Sequence, residues 1–458
     1  MNLETKIEDG LFSTSAVRKL MLPLVLEQLL SFMVGLADAL MVASVGNIAV
    51  SAVSLVDSVS VLMIVILSAL ANGGGAVVGQ YLGRRETGHA CSAATLLLLL
   101  LTAVSVVFTL LLYTFHSGIL GLLFGRAEEA IRIDCRVYYM ILMISVPMIA
   151  LYSGASSVFR IYGDSRTPLR ISLLMNAVNI AGNAVCIYGL KMGVAGAAIP
   201  SVLSRLVGMV LIMLLLKKHS WTAAVSETMK FAGARTITGN IITIGVPTAI
   251  ENGMFQIGKI ALMSLISTLS TASITANAIG NTVGNLHCVI GMGVNIGLTT
   301  IVSRCVGAGK YDQARAWTLR LMRSVYILQG LVTALLMLAM PVINQLYHVS
   351  GEAANLSTAI NLIHGGATIL FWPIAFMLNS SMAAAGDSRY AMLVSAGAMW
   401  VGRVALSFIL ILGFHFGVLS VWIAWIVDWF IRMAFFIPRW KGHRWETKGI
   451  RSDPDYAE

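Results

Sequence analysis

Asp38 stands in the run Gly35-Leu-Ala-Asp38-Ala-Leu-Met41, an acid with apolar neighbours on both sides. Asp57, Asn179, Asn183 and Ser201 occur in similarly apolar surroundings. An acid at the centre of a membrane-spanning helix costs about 2.5–3.5 kcal/mol on insertion scales, so it marks either function or a buried pair. A protonated carboxyl is cheap to keep dry, whereas an ionised one needs a cation or a positive partner. That difference lets such a group change charge as an ion comes and goes. The second half of the chain offers Glu251 and Lys259. Glu27 and Glu251 each follow a proline by four residues, so each either acts chemically or satisfies backbone groups freed near a kink. Lys259 either snorkels to the interface or holds the charge of a carboxylate. Asp428 and Arg432, at i and i+4, read as a structural pair.

The elements that position these groups follow from composition. Of 458 residues, 57% are apolar and 11% charged, against roughly 25% charged in soluble domains. Mean hydropathy is +0.83. The chain reads as an all-α polytopic membrane protein. A spanning helix needs about 20 mostly apolar residues, and twelve stretches qualify. They are 17–44, 49–80, 91–114, 135–160, 168–190 and 194–216, then 240–268, 273–304, 314–341, 353–384, 390–413 and 417–438. Pro23, Pro147, Pro247 and Pro373 lie inside them, where kinks are tolerated. The first stretch is not expected to be a cleaved signal, since Glu4, Glu8 and Asp9 precede a run that is too long.

At 1.5 Å per residue, Asp38 lies about 30 Å along its helix and Asp57 about 12 Å below the outer surface. Asn179 and Asn183, at i and i+4, share a face in the outer half, as does the depth of Ser201. Five side chains from helices 1, 2, 5 and 6 therefore lie at one depth, which permits a single site. Glu27 and Glu251 lie near mid-depth, about 15–17 Å along.

The chain is a duplication. Shifted by 224, Pro23-Leu-Val-Leu-Glu27 falls on Pro247-Thr-Ala-Ile-Glu251. Gly163-Asp164-Ser165-Arg166 recurs as Gly386-Asp387-Ser388-Arg389 after each fourth helix. Six helices per half is an even number, so the repeats are parallel, related by a pseudo-two-fold axis along the membrane normal. The expected organisation is an N-terminal six-helix lobe at 1–216, a cytoplasmic linker at 217–239, a C-terminal six-helix lobe at 240–438 and a cytoplasmic tail at 439–458. With the N-terminus inside, inner loops and tails hold 23 of 31 basic residues and outer loops four, which places both termini in the cytoplasm. The basic tail reads as a solvated anchor, with Trp440 and Trp445 as interfacial residues.

Several functions are excluded. Asn72-Gly73-Gly74-Gly75 lacks the Gly-Lys-Ser/Thr of a phosphate loop, and no His-Glu-x-x-His occurs. The basic balance is explained by topology without nucleic acid. No enzyme, nucleotide or other cofactor is expected, and His287 and His364 read as structural.

The two six-helix halves, Pro-x-x-x-Glu early in each, Gly-Asp-Ser-Arg after each fourth helix, Gly35 to Met41, and Gly193-Val-Ala-Gly196-Ala-Ala resemble the multidrug and toxic compound extrusion (MATE) family. The resemblance implies an antiporter that exports amphipathic, mostly cationic compounds in exchange for protons or sodium ions. It implies a cell membrane location and a monomer. It implies an N-lobe cation site at Asp38, Asn179, Asn183 and Ser201, with Asp57 beside it, where a coupling sodium ion would be the only metal. Glu251 resembles the family's seventh-helix acid; Lys259, eight residues beyond it, is read from the sequence alone as the other member of a candidate C-lobe site. Glu27, Trp372 and Trp400 are candidates for the substrate cavity, the indoles offering faces to cations. The alternative is a flippase of lipid-linked precursors or another amphiphile, which would favour a basic cavity built from Arg205, Lys259, Arg403 and Arg432.

The charge bias yields a topology test. Reporter fusions after Lys217 and at the C-terminus are both expected to give cytoplasmic signals; an external signal at either overturns the twelve-span arrangement.

Overall fold

The computed structural model describes residues 10–124, 128–225, 228 and 233–451. Parts of the expected linker and tail, including Lys230, and the outer-loop Arg126 lie outside them. The described residues are helical, with no strand among them. Continuous apolar sequence leaves each backbone N–H and C=O dependent on its own helix, because lipid offers no partner.

The main helices are α1 (Thr14–Ala43), α2 (Asn47–Gly83), α3 (Thr87–Thr114), α4 (Glu129–Ile161), α5 (Arg166–Gly189) and α6 (Ala195–Lys218). The second half has α7 (Ala234–Ile266), α8 (Thr271–Gly307), α9 (Tyr311–Leu338), α10 (Gly351–Leu370 with Trp372–Ala385), α11 (Ser388–Gly413) and α12 (Leu419–Lys441). Ten of these are long and apolar enough to cross a membrane, and the two arms of α10, bent by 51°, make an eleventh if counted as one span. The remaining helix, α7, is 33 residues long; Asn240, Glu251, Asn252, Gln256 and Lys259 dilute its apolar character. All twelve stretches expected from the sequence carry helix. The chain is a multi-pass membrane protein, and many large apolar side chains on these helices, such as Leu40, Leu110, Ile327 and Leu393, face outward.

The prolines act unequally. Helices α1 and α7 run unbroken through Pro23 and Pro247. The breaks fall at Pro147, after a 3₁₀ turn at Met143–Ser145, and at Pro373, at the bend of α10. Proline removes a backbone donor and crowds the preceding turn. Wider π-type turns occur in α5 at Ala184–Gly189 and in α11 at Ala398–Ala405 and Ile409–Gly413.

The chain divides into two compact units. One comprises Arg18–Ala249 with Arg451–Glu458, the other Met1–Val17 with Ile250–Ile450. The first part of α7 therefore belongs with α1–α6. Gly73 and Gly245 explain why: a Cβ on Gly73 would lie 2.8 Å from the Gly245 Cα, so α2 and α7 meet backbone to backbone. Small residues permit such approaches inside membranes.

The two Gly-Asp-Ser-Arg turns do different work. Asp164 caps α5, accepting from the Arg166 and Thr167 N–H groups at 3.0 and 3.1 Å. Asp387 instead pairs with Arg439 of α12 at 2.7 and 3.1 Å. Gly386 has φ +105, and a side chain there would collide with the Lys448 carbonyl. The tail packs at that point. Trp445 is fully buried, stacked on Trp440 at 4.4 Å, and Arg315 of α9 donates to Glu446 Oε1 at 2.7 Å. Residues 441–450 are thus docked, and Trp440 and Trp445 pack together rather than stand free as interfacial anchors.

Partial burial pushes the Glu446 carboxyl up, but hydrogen bonds and charge from His443 and Arg315 outweigh it and leave it below the usual range. A depressed carboxylate contributes stability above its unfolded value and loses it as pH falls through the folded one. The tail should stay docked in mild acid. Glu446→Gln is expected to expose Lys441, Arg444 and Lys448 to trypsin several-fold faster at neutral pH. Unchanged cleavage would show that aromatic stacking alone holds the tail.

Candidate functional site: a polar cluster in each half

In the N-terminal half, α1 carries Asp38, α5 carries Asn179 and Asn183, and α6 carries Ser201. The one-face spacing of the two asparagines brings both to Asp38. Asn183 Nδ2 donates to Asp38 Oδ1 at 2.9 Å. The Asn179 amide satisfies its neighbours when its nitrogen donates to the two Asp38 oxygens at 2.8 and 3.1 Å and its oxygen accepts from Ser201 Oγ at 3.1 Å. Both asparagines are buried, whereas Asp38 and Ser201 stay partly exposed. The carboxylate is therefore held by neutral donors on one side and reachable on the other. Among the described residues, no Lys or Arg nitrogen lies within 4 Å of it.

Asp57 belongs to an adjoining group. Tyr138 of α4 donates to Asp57 Oδ1 at 3.2 Å, and Arg205 of α6 donates to Ser145 Oγ at 2.6 Å. Arg205 acts electrostatically on both Asp57 and Asp38. Ser145 lies in the 3₁₀ turn before Pro147, so the break in α4 brings its hydroxyl to the arginine. Tyr138, and Arg205 as a neighbour of this group, were not read from the sequence. An arginine inside a span was the available signal.

Glu27 is buried and paired. Arg160 of α4 donates to both its oxygens, at 2.8 and 3.0 Å, in buried surroundings. This ion pair joins α1 to α4. Trp372 is likewise no free aromatic face: it is 3% exposed, stacked on Phe376 at 5.0 Å and packed against Gly291. Trp400 remains partly exposed beside the apolar cluster around Met399, Val404 and Trp422.

The C-terminal half holds a chain of charges. Asn379 donates to Glu251 Oε1 at 2.7 Å, and Arg432 Nη1 lies 3.9 Å from the same oxygen. Arg432 Nε donates to Asp428 Oδ1 at 2.9 Å, as the i, i+4 spacing suggested. Arg403 of α11 donates to Asp428 Oδ2, a pairing that no spacing announced. Lys259 has no carboxylate within 4 Å among the described residues. His287 and His364, 77 residues apart, are both buried and meet at 3.2 Å between Nδ1 atoms, with His364 set among Trp422, Trp425 and Trp429. At that distance one nitrogen donates and the other accepts.

The family model MatE matches the chain twice, over residues 23–185 and 247–409. The chain belongs to the MATE family. The two matches are offset by 224 residues, the shift at which Pro23 falls on Pro247. The chain is 24% identical over 439 residues to YisQ of Bacillus subtilis, described as an uncharacterized transporter, covering 93% of this chain and 94% of that one. It is 24% identical over 444 residues to a probable multidrug resistance protein NorM of Thermotoga maritima, covering 94% and 93%. A solved outward-facing multidrug resistance MATE transporter of the MOP superfamily superposes with a TM-score of 0.84 at 18% identity, covering 93% of this chain and 95% of that one. The fold is thus the MATE fold, and MATE proteins are transporters rather than enzymes.

Breaking one partner of a buried ion pair costs about 3–5 kcal/mol, while replacing both by apolar groups is often neutral. Arg160→Met should therefore lower the melting temperature of the purified protein markedly, and Glu27→Leu/Arg160→Met should restore it. An unstable double variant would contradict a purely structural pairing.

Proposed function

We propose that this MATE transporter is a secondary antiporter that exports amphipathic, mostly cationic compounds in exchange for protons or sodium ions. Alternating access is the mechanism, Asp38 takes the coupling ion, and both termini lie in the cytoplasm of a cell membrane protein acting as a monomer. The observation that carries the reading is the set of direct partners of Asp38: two asparagine amides bond a reachable carboxylate, with the Ser201 hydroxyl bonded to one of them.

The Asn179 amide supplies the chemistry of exchange. With its nitrogen toward Asp38 it stabilises the ionised carboxylate. Rotated by half a turn, its nitrogen donates to Ser201 Oγ at 3.1 Å and its oxygen faces Asp38. That oxygen then accepts from a protonated carboxyl, or joins carboxylate and hydroxyl oxygens as ligands for a hard cation. One side chain thus serves both charge states without a vacated hydrogen bond. Asn183 holds Asp38 in place, and Arg205 with Asp57 sets the local field. An ion that favours one conformation shifts the equilibrium by its differential affinity. A proton moving down 100 mV releases about 2.3 kcal/mol.

Names of relatives support the cargo class: the Thermotoga maritima protein is called a probable multidrug resistance protein. Glu251 and Lys259 are retained as the candidate C-lobe site, and Trp400 as a candidate of the substrate cavity.

Everted vesicles with an imposed proton or sodium gradient are expected to accumulate a cationic dye. Asp38→Asn mimics the protonated carboxyl in shape and charge but cannot ionise, so it should insert and fold yet lose gradient-driven accumulation at least tenfold. Wild-type accumulation by that variant would remove Asp38 as the coupling group.

A further inference from the structure

The polar clusters of the two halves differ in charge. Asp38 and Asp57 face Arg205 in one, a balance of −1, with Glu27 and Arg160 cancelling. In the other, Arg403 and Arg432 pair with Asp428, Arg432 approaches Glu251, and Lys259 stands without a carboxylate within 4 Å among the described residues, a balance of +1. Both Asp428 oxygens are already occupied, one by Arg403 and one by Arg432. Arg403 is fully buried, and its Nε and Nη1 find no acceptor. The indole nitrogens of Trp400 and Trp422 also find none. Buried donors in native proteins are normally satisfied, and here the deficit is of acceptors.

The surroundings shape what an acceptor must be. The Arg403 guanidinium lies 5.0 Å from the Phe255 ring centroid and 4.3 Å from that of Trp425. Phe255 and Lys259, at i and i+4, occupy one face of α7, so Lys259 stands one helical turn from the ring that packs on Arg403. Phe255, Lys259 and Trp425 are each partly exposed, so the deeper Arg403 has an approachable rim. Arg403 itself sits in the π-type turn Ala398–Ala405, a distortion frequent at functional sites.

We propose that Lys259 and Arg403 form a binding site for the anionic group of an amphiphile, a carboxylate or phosphate, with Phe255 and Trp425 holding its apolar body. The proposal rests on the transporter reading and names one chemical class of ligand for the C-terminal half. Lys259 meets the anion at the rim. The free nitrogens of Arg403 meet it deeper down, where low dielectric strengthens charge-assisted hydrogen bonds.

The test is calorimetric titration of the full chain in phosphatidylcholine nanodiscs, without any ion gradient, so it stands or falls independently of coupling at Asp38. The probes are 2-naphthoate, 2-naphthyl phosphate and 2-naphthylmethylammonium. Both anions are expected to bind saturably. Lys259→Gln should weaken them at least tenfold without weakening the ammonium probe, and Lys259→Arg should retain binding. Replacing part of the lipid with phosphatidylglycerol separates two sources: competition identifies a lipid phosphate as occupant, its absence a free amphiphile, and either agrees with an anion site. If Lys259→Gln aggregates, 2-naphthoate should shield wild-type Lys259 from acylation by an amine-reactive reagent, read by peptide mass mapping. Failure of both anions to bind the wild type, equal affinity in a folded Lys259→Gln, or unshielded acylation overturns the proposal.

Discussion

A charge removed from water and placed among lipid-facing helices must be paired, neutralised by a proton or met by an ion, because desolvation opposes the bare charge by several kcal/mol. The polar interior of this protein is a set of solutions to that constraint. Glu27 is paired with Arg160, Asp428 is shared by Arg403 and Arg432, and Asp387 is bound to Arg439. Asp38 is the different case. Its partners are amides, which hold a carboxylate without cancelling its charge.

Helix irregularities decide which polar groups meet. The 3₁₀ turn before Pro147 presents Ser145 to Arg205, and the π-type turn of α11 carries Arg403 to Asp428. Two prolines at matched positions in the repeat, Pro23 and Pro247, leave their helices unbroken. A proline therefore marks where a break is tolerated, and packing decides whether it opens.

Duplication supplied one scaffold twice, and the halves have diverged in chemistry. The repeated Gly-Asp-Ser-Arg turn caps a helix in one copy and ties α12 in the other. The repeated Pro-x-x-x-Glu ends in an ion pair for Glu27 and in an amide and a distant arginine for Glu251. Backbone architecture tolerates such drift because it depends on apolar surface and helix geometry. Local charge balance has no such tolerance and must be re-solved after each substitution.

The sequence by itself determined the membrane class, the positions of twelve helical stretches and the internal repeat, because apolar run length and positional charge are one-dimensional signals. It also determined that Asp38, Asn179, Asn183 and Ser201 share a depth, since helical rise converts residue number into distance. Rotation about the helix axes is not written in that arithmetic. Only tertiary packing decided that Asp57 meets Tyr138 rather than Asp38, that Trp372 turns into the core, and that Arg403 and Arg432 share one aspartate. It also decided that His287 finds His364 across 77 residues and that the basic tail docks on α9. Each depends on which faces of separate helices are apposed, and that follows from the fit of many small and large side chains at once.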